Sequence, residues 1–290
     1  MRKVFIPETQ AELFDIIACN PKSRMFAGGT DLLVKLRSGQ FDSDDLVSLE
    51  RIDELKGVED YGDEVFIGAC TTHSALIADP VIQMHFPVLV KALRVLGSPQ
   101  IRNMGTIGGN IVTASPAGDT LPPLYLLEAD LELKTKDSSR LVGIKDFIKG
   151  PGRNDLAPGE ILARVRLRKC PAYNLQHYEK VGQRNSLAIS IVSLAAVLNV
   201  SDKGIITEVR FSWGSAGPTV ITCKEAEAVL AGRPVSNESL EKAARLARKA
   251  VKPIADVRAS AEYRRQVSGN LILRIQGLLN GSGDSIQFAD

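Results

Sequence analysis

Residues 104–119 read MGTIGGNIVTASPAGD, and an earlier stretch, residues 27–37, reads AGGTDLLVKLR. Each sets a glycine pair among apolar neighbours with a threonine beside it, Thr30 after Gly28-Gly29 and Thr106 before Gly108-Gly109. Paired glycines open backbone conformations closed to other residues and remove the Cβ atoms that would hold a ligand away. Successive bare N–H groups then form a concave donor surface suited to phosphate oxygens. In the first stretch the following residues begin a helix, whose N-terminal N–H groups share the preference for anions. A tight strand-to-helix turn needs glycine for the same backbone reason, so one such turn decides nothing. Two of them, about eighty residues apart, predict a diphosphate held between two walls. On this reading Gly108→Val blocks only a turn, abolishing ligand retention while the C-terminal domain stays folded.

Neither stretch is the G-x-G-x-x-G of a Rossmann site or the G-x-x-x-x-G-K-[ST] of a P-loop. Asn110 offers both a donor and an acceptor. Asp119 directly precedes an apolar segment, where it can cap a helix or accept hydrogen bonds from ligand hydroxyls such as a ribityl chain. The two roles are compatible.

Working outward, the N-terminal residues alternate strand and helix. Residues 4–6 form a short strand, Thr9-Gln10-Ala11-Glu12 fits a capping box, and Leu13, Ile16 and Ile17 supply one helix face. Residues 24–27 make a strand running into the first glycine pair. DLLVKLRSG is a short helix closed by Gly39, residues 46–49 restore a strand, and ERIDELKGVED connects to the next unit. That unit has strands at 64–69, 130–135 and 160–167 and helices at 74–80, 81–97 (restarting near Pro87) and 119–129. Residues 149–160, dense in Gly and Pro, form a loop. The last part reads as three strands (177–182, 189–200, 204–214) with a turn at 201–204. Two helices follow. The first packs through Leu240, Ala243, Ala244, Ala247 and Val251 and stops at Lys252-Pro253; the second spans 259–281 and packs through Tyr263, Val267, Leu271, Ile275 and Leu278. The predicted domains are 1–55, 56–172 and 173–290.

With 36 Lys and Arg against 34 Asp and Glu, the chain gives no electrostatic case for nucleic acid or an anionic membrane. No apolar run approaches a membrane span, and MRKVFIPETQ lacks the apolar core of a signal peptide. Four cysteines, at 19, 70, 170 and 223, contain no C-x-x-C. They read as reduced thiols in a cytoplasmic protein and not as zinc or iron–sulfur ligands. His73, His85 and His177 share no metal-ligand spacing, and no G-x-S-x-G elbow is present. No metal and no catalytic dyad is expected.

The stretches AGGTDLLVKLR, SPQIRNMGTIGGNIVTASPAGDTLPP (98–123) and DVRASAEYRR (256–265) together closely resemble the FAD-binding medium subunit of the molybdenum hydroxylases, the family of xanthine dehydrogenase and carbon monoxide dehydrogenase. The resemblance covers nearly the whole chain in order, and TIGGN within QIRNMGTIGGN is its most specific part. It implies an α+β chain with a vanillyl-alcohol-oxidase-like (PCMH-type) FAD-binding fold. A small N-terminal α/β domain and a middle α/β domain are followed by a C-terminal domain of a three-stranded antiparallel sheet with helices. FAD would lie between the first two domains, as the only cofactor. By motif, Ala27, Gly28, Gly29, Thr30 and Asp31 carry over from the first turn and Thr106, Ile107, Gly108, Gly109 and Asn110 from the second, with Asp119 at the ribityl chain. Leu96, Leu162 and Lys180 fall where the family places residues near the isoalloxazine; the two leucines also read as plain core. After Arg184 the family often has Asp-Ile-Ala, and here the stretch is Ala188-Ile189-Ser190. Relatives of the benzoyl-CoA-reducing type carry an iron–sulfur loop with clustered cysteines, which this chain lacks.

The resemblance implies an electron-transfer subunit. It would take electrons from the [2Fe-2S] clusters of a small partner subunit, fed by a large molybdopterin subunit, and pass them from FAD to NAD or another acceptor. The alternatives are a stand-alone flavin oxidase or reductase of the same fold, and a flavin-free assembly or scaffold protein.

Overall fold

A computed structural model describes residues 2–40, 45–169, 173–184 and 187–279. Three sheets and a two-stranded hairpin are joined along the chain, over three apolar clusters.

The first contains β1 (Val4–Phe5), β2 (Arg24–Phe26) and β3 (Leu46–Ser48), paired in parallel in the order β1-β3-β2. Parallel neighbours need crossovers, supplied by α1 (Gln10–Cys19) and α2 (Leu32–Arg37). Thr9 caps α1 by accepting from the Glu12 N–H, but the Glu12 carboxylate reaches the Glu8 N–H and not that of Thr9, so the box is closed one residue early. Leu13, Phe14, Val47, Ile52 and Leu55 form the core here. They pack on Cys70, Ile161 and Ala163, which belong to the next unit.

The second sheet is antiparallel, in the order β4-β5-β10-β6-β7: β4 (Val58–Asp60), β5 (Glu64–Gly68), β6 (Asp130–Lys134), β7 (Ser139–Gly143) and β10 (Ile161–Arg168). Its strands alternate, with β10 doing so from Arg164 onward, after a register shift at Leu162–Arg164. Val65, Ile67, Leu131, Leu133, Val165 and Leu167 are buried on one face. Arg164 pairs with Glu132 and Glu59, and Arg166 with Asp130 and Glu64, on the other. Between β5 and β6 run α3 (His73–Ala78), α4 (Pro80–His85), α5 (Pro87–Arg94), α6 (Pro99–Met104), α7 (Ile107–Thr113) and α8 (Leu121–Leu126). After β7 come α9 (Ile144–Phe147) and a small hairpin of β8 (Ile148–Gly150) and β9 (Arg153–Asn154), inside the segment read as pure loop. β4 lies in what the sequence reads as a connection, and β7 has no signal strong enough to place it; both are short, polar edge strands.

The third sheet has three long strands, β11 (Leu175–Val181), β12 (Val192–Val200) and β13 (Ile206–Gly214), and a short fourth, β14 (Ile221–Thr222). α10 (Lys224–Leu230), α11 (Asn237–Ala250), α12 (Ala261–Leu273) and α13 (Ile275–Leu279) complete this part. The stripe on α11 is buried as the periodicity predicts. On α12 Val267 and Leu271 are buried but Tyr263, in the first turn, faces solvent. The predicted single helix is broken at Arg274; the Leu278 side chain, the helix end at 280–281 and Cys170 lie outside the described residues. The buried Trp213 donates through its indole N–H to the Ser268 carbonyl at 3.0 Å, tying β13 to α12. In the DVRASAEYRR stretch, buried Arg264 donates to the Ile191 and Ser215 carbonyls and to Asp256 at 2.8 Å. The stretch is therefore a structural clasp for the start of β12. This unit docks on the middle one where Lys91 and the Val88 N–H bond Gln176 and where Ser212 donates to the Pro122 carbonyl.

Candidate functional site

A cleft of ≈ 520 Å³ lies between the first and second units. Of the residues singled out in the sequence, Ala27, Gly28, Gly29, Thr30, Asp31, Leu96, Thr106, Gly108, Gly109, Asn110 and Leu162 line it; Ile107, Asp119 and Lys180 do not.

The first glycine turn has the predicted character. β2 ends at Phe26 and α2 begins at Leu32. Among the described residues, the N–H groups of Gly28, Gly29, Thr30 and Asp31 have no hydrogen-bond acceptor. Gly29 has φ +69°, in the left-handed region that favours glycine. Gly28 is needed for a different reason: a Cβ there would overlap the Met104 carbonyl, so only a bare backbone lets the turn touch the end of α6.

The second glycine pair is not a turn after a strand. It forms the first turn of α7, whose N-cap is Thr106; the Thr106 hydroxyl accepts from the Gly109 N–H at 3.1 Å. The Ile107 N–H donates to the Thr71 carbonyl, Gly108 to Ala69, and Asn110 to Thr106. These donors are all satisfied inside the protein, so the motif offers no row of bare N–H groups, and the sequence reading is corrected there. Helix was favoured over turn because Ile107 and Ile111 bury one face of α7 in the core. Gly108 is a packing residue: a Cβ would stand 2.6 Å from the Ala69 Cβ and 2.7 Å from its carbonyl oxygen. Gly109 is exposed in the cleft, where its only close neighbour would be the Thr106 hydroxyl oxygen at 3.0 Å. Gly108→Val would therefore disturb the middle unit and not merely block a ligand.

Asp119 does not cap α8. The capping position is Thr120, which makes no side-chain cap bond; its hydroxyl donates to Asn110 Oδ1 at 2.7 Å. Buried Asp119 instead accepts from Lys180 Nζ at 2.6 Å and from the Tyr178 hydroxyl at 3.1 Å. Lys180 also donates to the Val95 carbonyl at 3.1 Å. Burial pushes the Asp119 carboxyl up, against the opposing pull of Lys180 and Tyr178. This pair sits behind the cleft wall, one residue from Leu96, and joins it to β11.

Several cleft residues escaped the sequence reading. Lys35 donates to Asp31 Oδ2 at 2.6 Å, and Thr113, at the end of α7, reaches the same oxygen at 3.2 Å, linking the two walls. Gly152, in the β8–β9 hairpin, bonds the Ala114 carbonyl from the other side. Cys70 lines the cleft with its thiol pushed up to about 12 by burial, which makes it inert. Nothing in the local sequence marks these residues, because the fold alone brings them together.

His73 also lines the cleft. It is 2% exposed, its Nδ1 has no partner among the described residues, and burial, aided by Arg102, lowers its pKa to about 4. A base with a depressed folded pKa contributes stability that is complete above the unfolded value near 6.5 and declines as pH falls toward 4. At about 1.4 kcal/mol per unit the full effect is about 3 kcal/mol. Between pH 7 and pH 4, wild-type protein should lose about 3 kcal/mol more than His73→Leu in urea unfolding; equal losses would show the imidazole is not held neutral.

The cleft fits a dinucleotide cofactor: open backbone donors at one wall, a floor with no Cβ at Gly109, and apolar Leu96, Leu156 and Leu162 for a flat ring. Among the described residues no cluster of His, Cys, Asp or Glu could hold a metal, and no helix is long and apolar enough to cross a membrane.

Two family models cover the chain. "FAD binding domain in molybdopterin dehydrogenase" matches residues 1–169, and "CO dehydrogenase flavoprotein C-terminal domain" matches 176–277. Among curated proteins, the chain is 33% identical over 259 residues to a xanthine dehydrogenase FAD-binding subunit of Escherichia coli, covering 88% of each chain. It is 32% identical over 245 residues to the nicotinate dehydrogenase FAD-subunit of Eubacterium barkeri, covering 83% of each. Among solved structures, reconstituted CO dehydrogenase from Oligotropha carboxidovorans matches with a TM-score of 0.89 at 29% identity, over 94% of this chain and 96% of that one.

Proposed function

The chain belongs to the FAD-binding medium subunits of the molybdenum hydroxylases, an oxidoreductase family whose cofactor is FAD, and on that premise we propose that its cleft holds FAD and that it works as the electron-transfer subunit of a larger complex. The observation that carries the site is the run of four N–H groups, Gly28 to Asp31, that have no acceptor among the described residues, on a wall of that cleft. They bind the diphosphate. Gly109 leaves room for it, and Thr106 keeps α7 in place by capping it. Leu96, Leu156 and Leu162 enclose the ring end and exclude water. Asp119 and Lys180 act through Val95, fixing the backbone that carries Leu96. Ile107 acts from the core, anchoring α7 to Thr71.

Bound FAD supplies redox chemistry that accepts electrons singly and releases them in pairs. The protein needs no proton-transfer dyad for this role. In the proposed complex, electrons arrive from the [2Fe-2S] clusters of a small subunit, a large molybdopterin subunit oxidises substrate, and NAD or another acceptor takes the pair, all in the cytoplasm. Of the three domains, 1–55 and 56–172 supply the two walls of the cleft and 173–290 the support behind it, each through its described residues.

Purified from its native host, the chain is expected to carry flavin absorbance and to co-purify with iron- and molybdenum-containing subunits. Absence of flavin after incubation with FAD would remove the cofactor site. A fully active flavoprotein free of both partners would remove the subunit role.

A further inference from the structure

Resting on the reading that the cleft binds the diphosphate of FAD, one feature of its rim calls for an additional residue. The Asp31 side chain lies on the same wall as the open N–H groups. An uncompensated carboxylate there would repel a diphosphate carrying about two negative charges. Lys35 stands one helical turn further along α2, on the same face. Its ammonium is 2.6 Å from Asp31 Oδ2, and it lines the cleft. Lys35 and Arg24 are the only Lys or Arg side chains among the described residues of that lining.

We propose that Lys35 is a diphosphate-binding residue of the cleft, with Asp31 and Thr113 as the groups that aim it. An ammonium has three N–H donors. One is directed to Asp31, and the lysine side chain, with 35% of its surface exposed, retains two for phosphate oxygens. Thr113 donates to that same Asp31 oxygen from the end of α7, fixing the carboxylate to which Lys35 is held. The lysine is thus steered from both walls, and the neutralised Asp31 no longer opposes the ligand. A merely structural i,i+4 pair on a half-exposed helix would add little to stability and nothing to binding.

The test uses the full chain stripped of flavin, with FAD and riboflavin titrated by fluorescence at low salt into wild type, Lys35→Gln and Lys35→Arg. Riboflavin has the ring and ribityl chain but no phosphate. Lys35→Gln is expected to weaken FAD about tenfold or more, as loss of a charge-assisted hydrogen bond does, and to leave riboflavin within about twofold. The salt dependence of FAD binding should become shallower. Lys35→Arg should stay close to wild type. Unchanged FAD affinity in Lys35→Gln overturns the assignment, as does equal weakening of FAD and riboflavin, which would mark a packing defect. If wild type itself binds no FAD, the reading of the cleft fails, and that result is distinct because no variant is needed to see it.

Discussion

A protein carrying Gly28→Ala is expected to lose bound flavin entirely and to be destabilised by about 3 kcal/mol or more. The added methyl would overlap the Met104 carbonyl carbon and oxygen and would lie 3.1 Å from the Gly105 nitrogen, all of them backbone. Relief requires the whole turn to retreat from α6, which opens the cleft on its donor side. Gly109→Ala gives the opposite combination. Its methyl meets only the Thr106 hydroxyl oxygen, and alanine is the better helix former by up to about 1 kcal/mol. The apoprotein should be at least as stable as wild type while its FAD affinity falls, because the methyl stands where the ligand would lie. Gly108→Ala should resemble Gly28→Ala in stability, since its methyl presses on Ala69 in the core. Thermal midpoints of the apoproteins and flavin-to-protein ratios separate the three. A Gly109→Ala protein with full flavin and wild-type affinity would mean α7 is not the cleft wall that matters.

The second large effect concerns the buried pair behind Leu96. Asp119→Ala leaves the Lys180 ammonium buried with the Val95 carbonyl as its one remaining partner among the described residues, and should cost about 3–5 kcal/mol. Combining Asp119→Asn with Lys180→Met removes both charges and leaves the Tyr178 hydroxyl an acceptor. It should recover most of that loss, since a buried pair contributes little beyond an apolar replacement of similar volume. Denaturant unfolding of Asp119→Asn, Lys180→Met and the double variant measures this coupling. Simple additivity would show that the two side chains do not share one site. Flavin affinity should fall in both variants that lack Lys180, since each loses the hydrogen bond that anchors the Val95–Leu96 backbone, even where the double variant regains stability.

The legible part of the sequence was local. Alternating strand and helix in the first fifty residues, the buried stripe on α11 and the donor turn at Gly28-Gly29 all follow from patterns a few residues long. Misreadings arose where tertiary contacts override local preference. Two consecutive glycines argue against a helix, yet α7 forms because Thr106 caps it and Ile107 and Ile111 are needed in the core. β4 and β14 are too short to announce themselves, and β7, an exposed edge strand, has no buried alternation to mark it. Asp119 looked like a cap because a carboxylate before an apolar helix usually is one. Its partner, 61 residues away on another sheet, has no local signature. Lys35 and Thr113 were invisible as a pair for the same reason, since their meeting point exists only once α2 and α7 face each other.

The first sheet borrows part of its core from Cys70, Ile161 and Ala163. That has a consequence for synthesis on the ribosome. The residues made first have strands of two or three residues, and their core is completed only when Ile161 and Ala163 have been made, about a hundred residues past Leu55. At roughly 5–20 residues per second, the interval is roughly 5–20 seconds. For that time Leu13, Phe14 and Val47 are held in an unfinished nascent chain, open to holding chaperones. The earliest segment to be translated thus waits on β10 to complete its core.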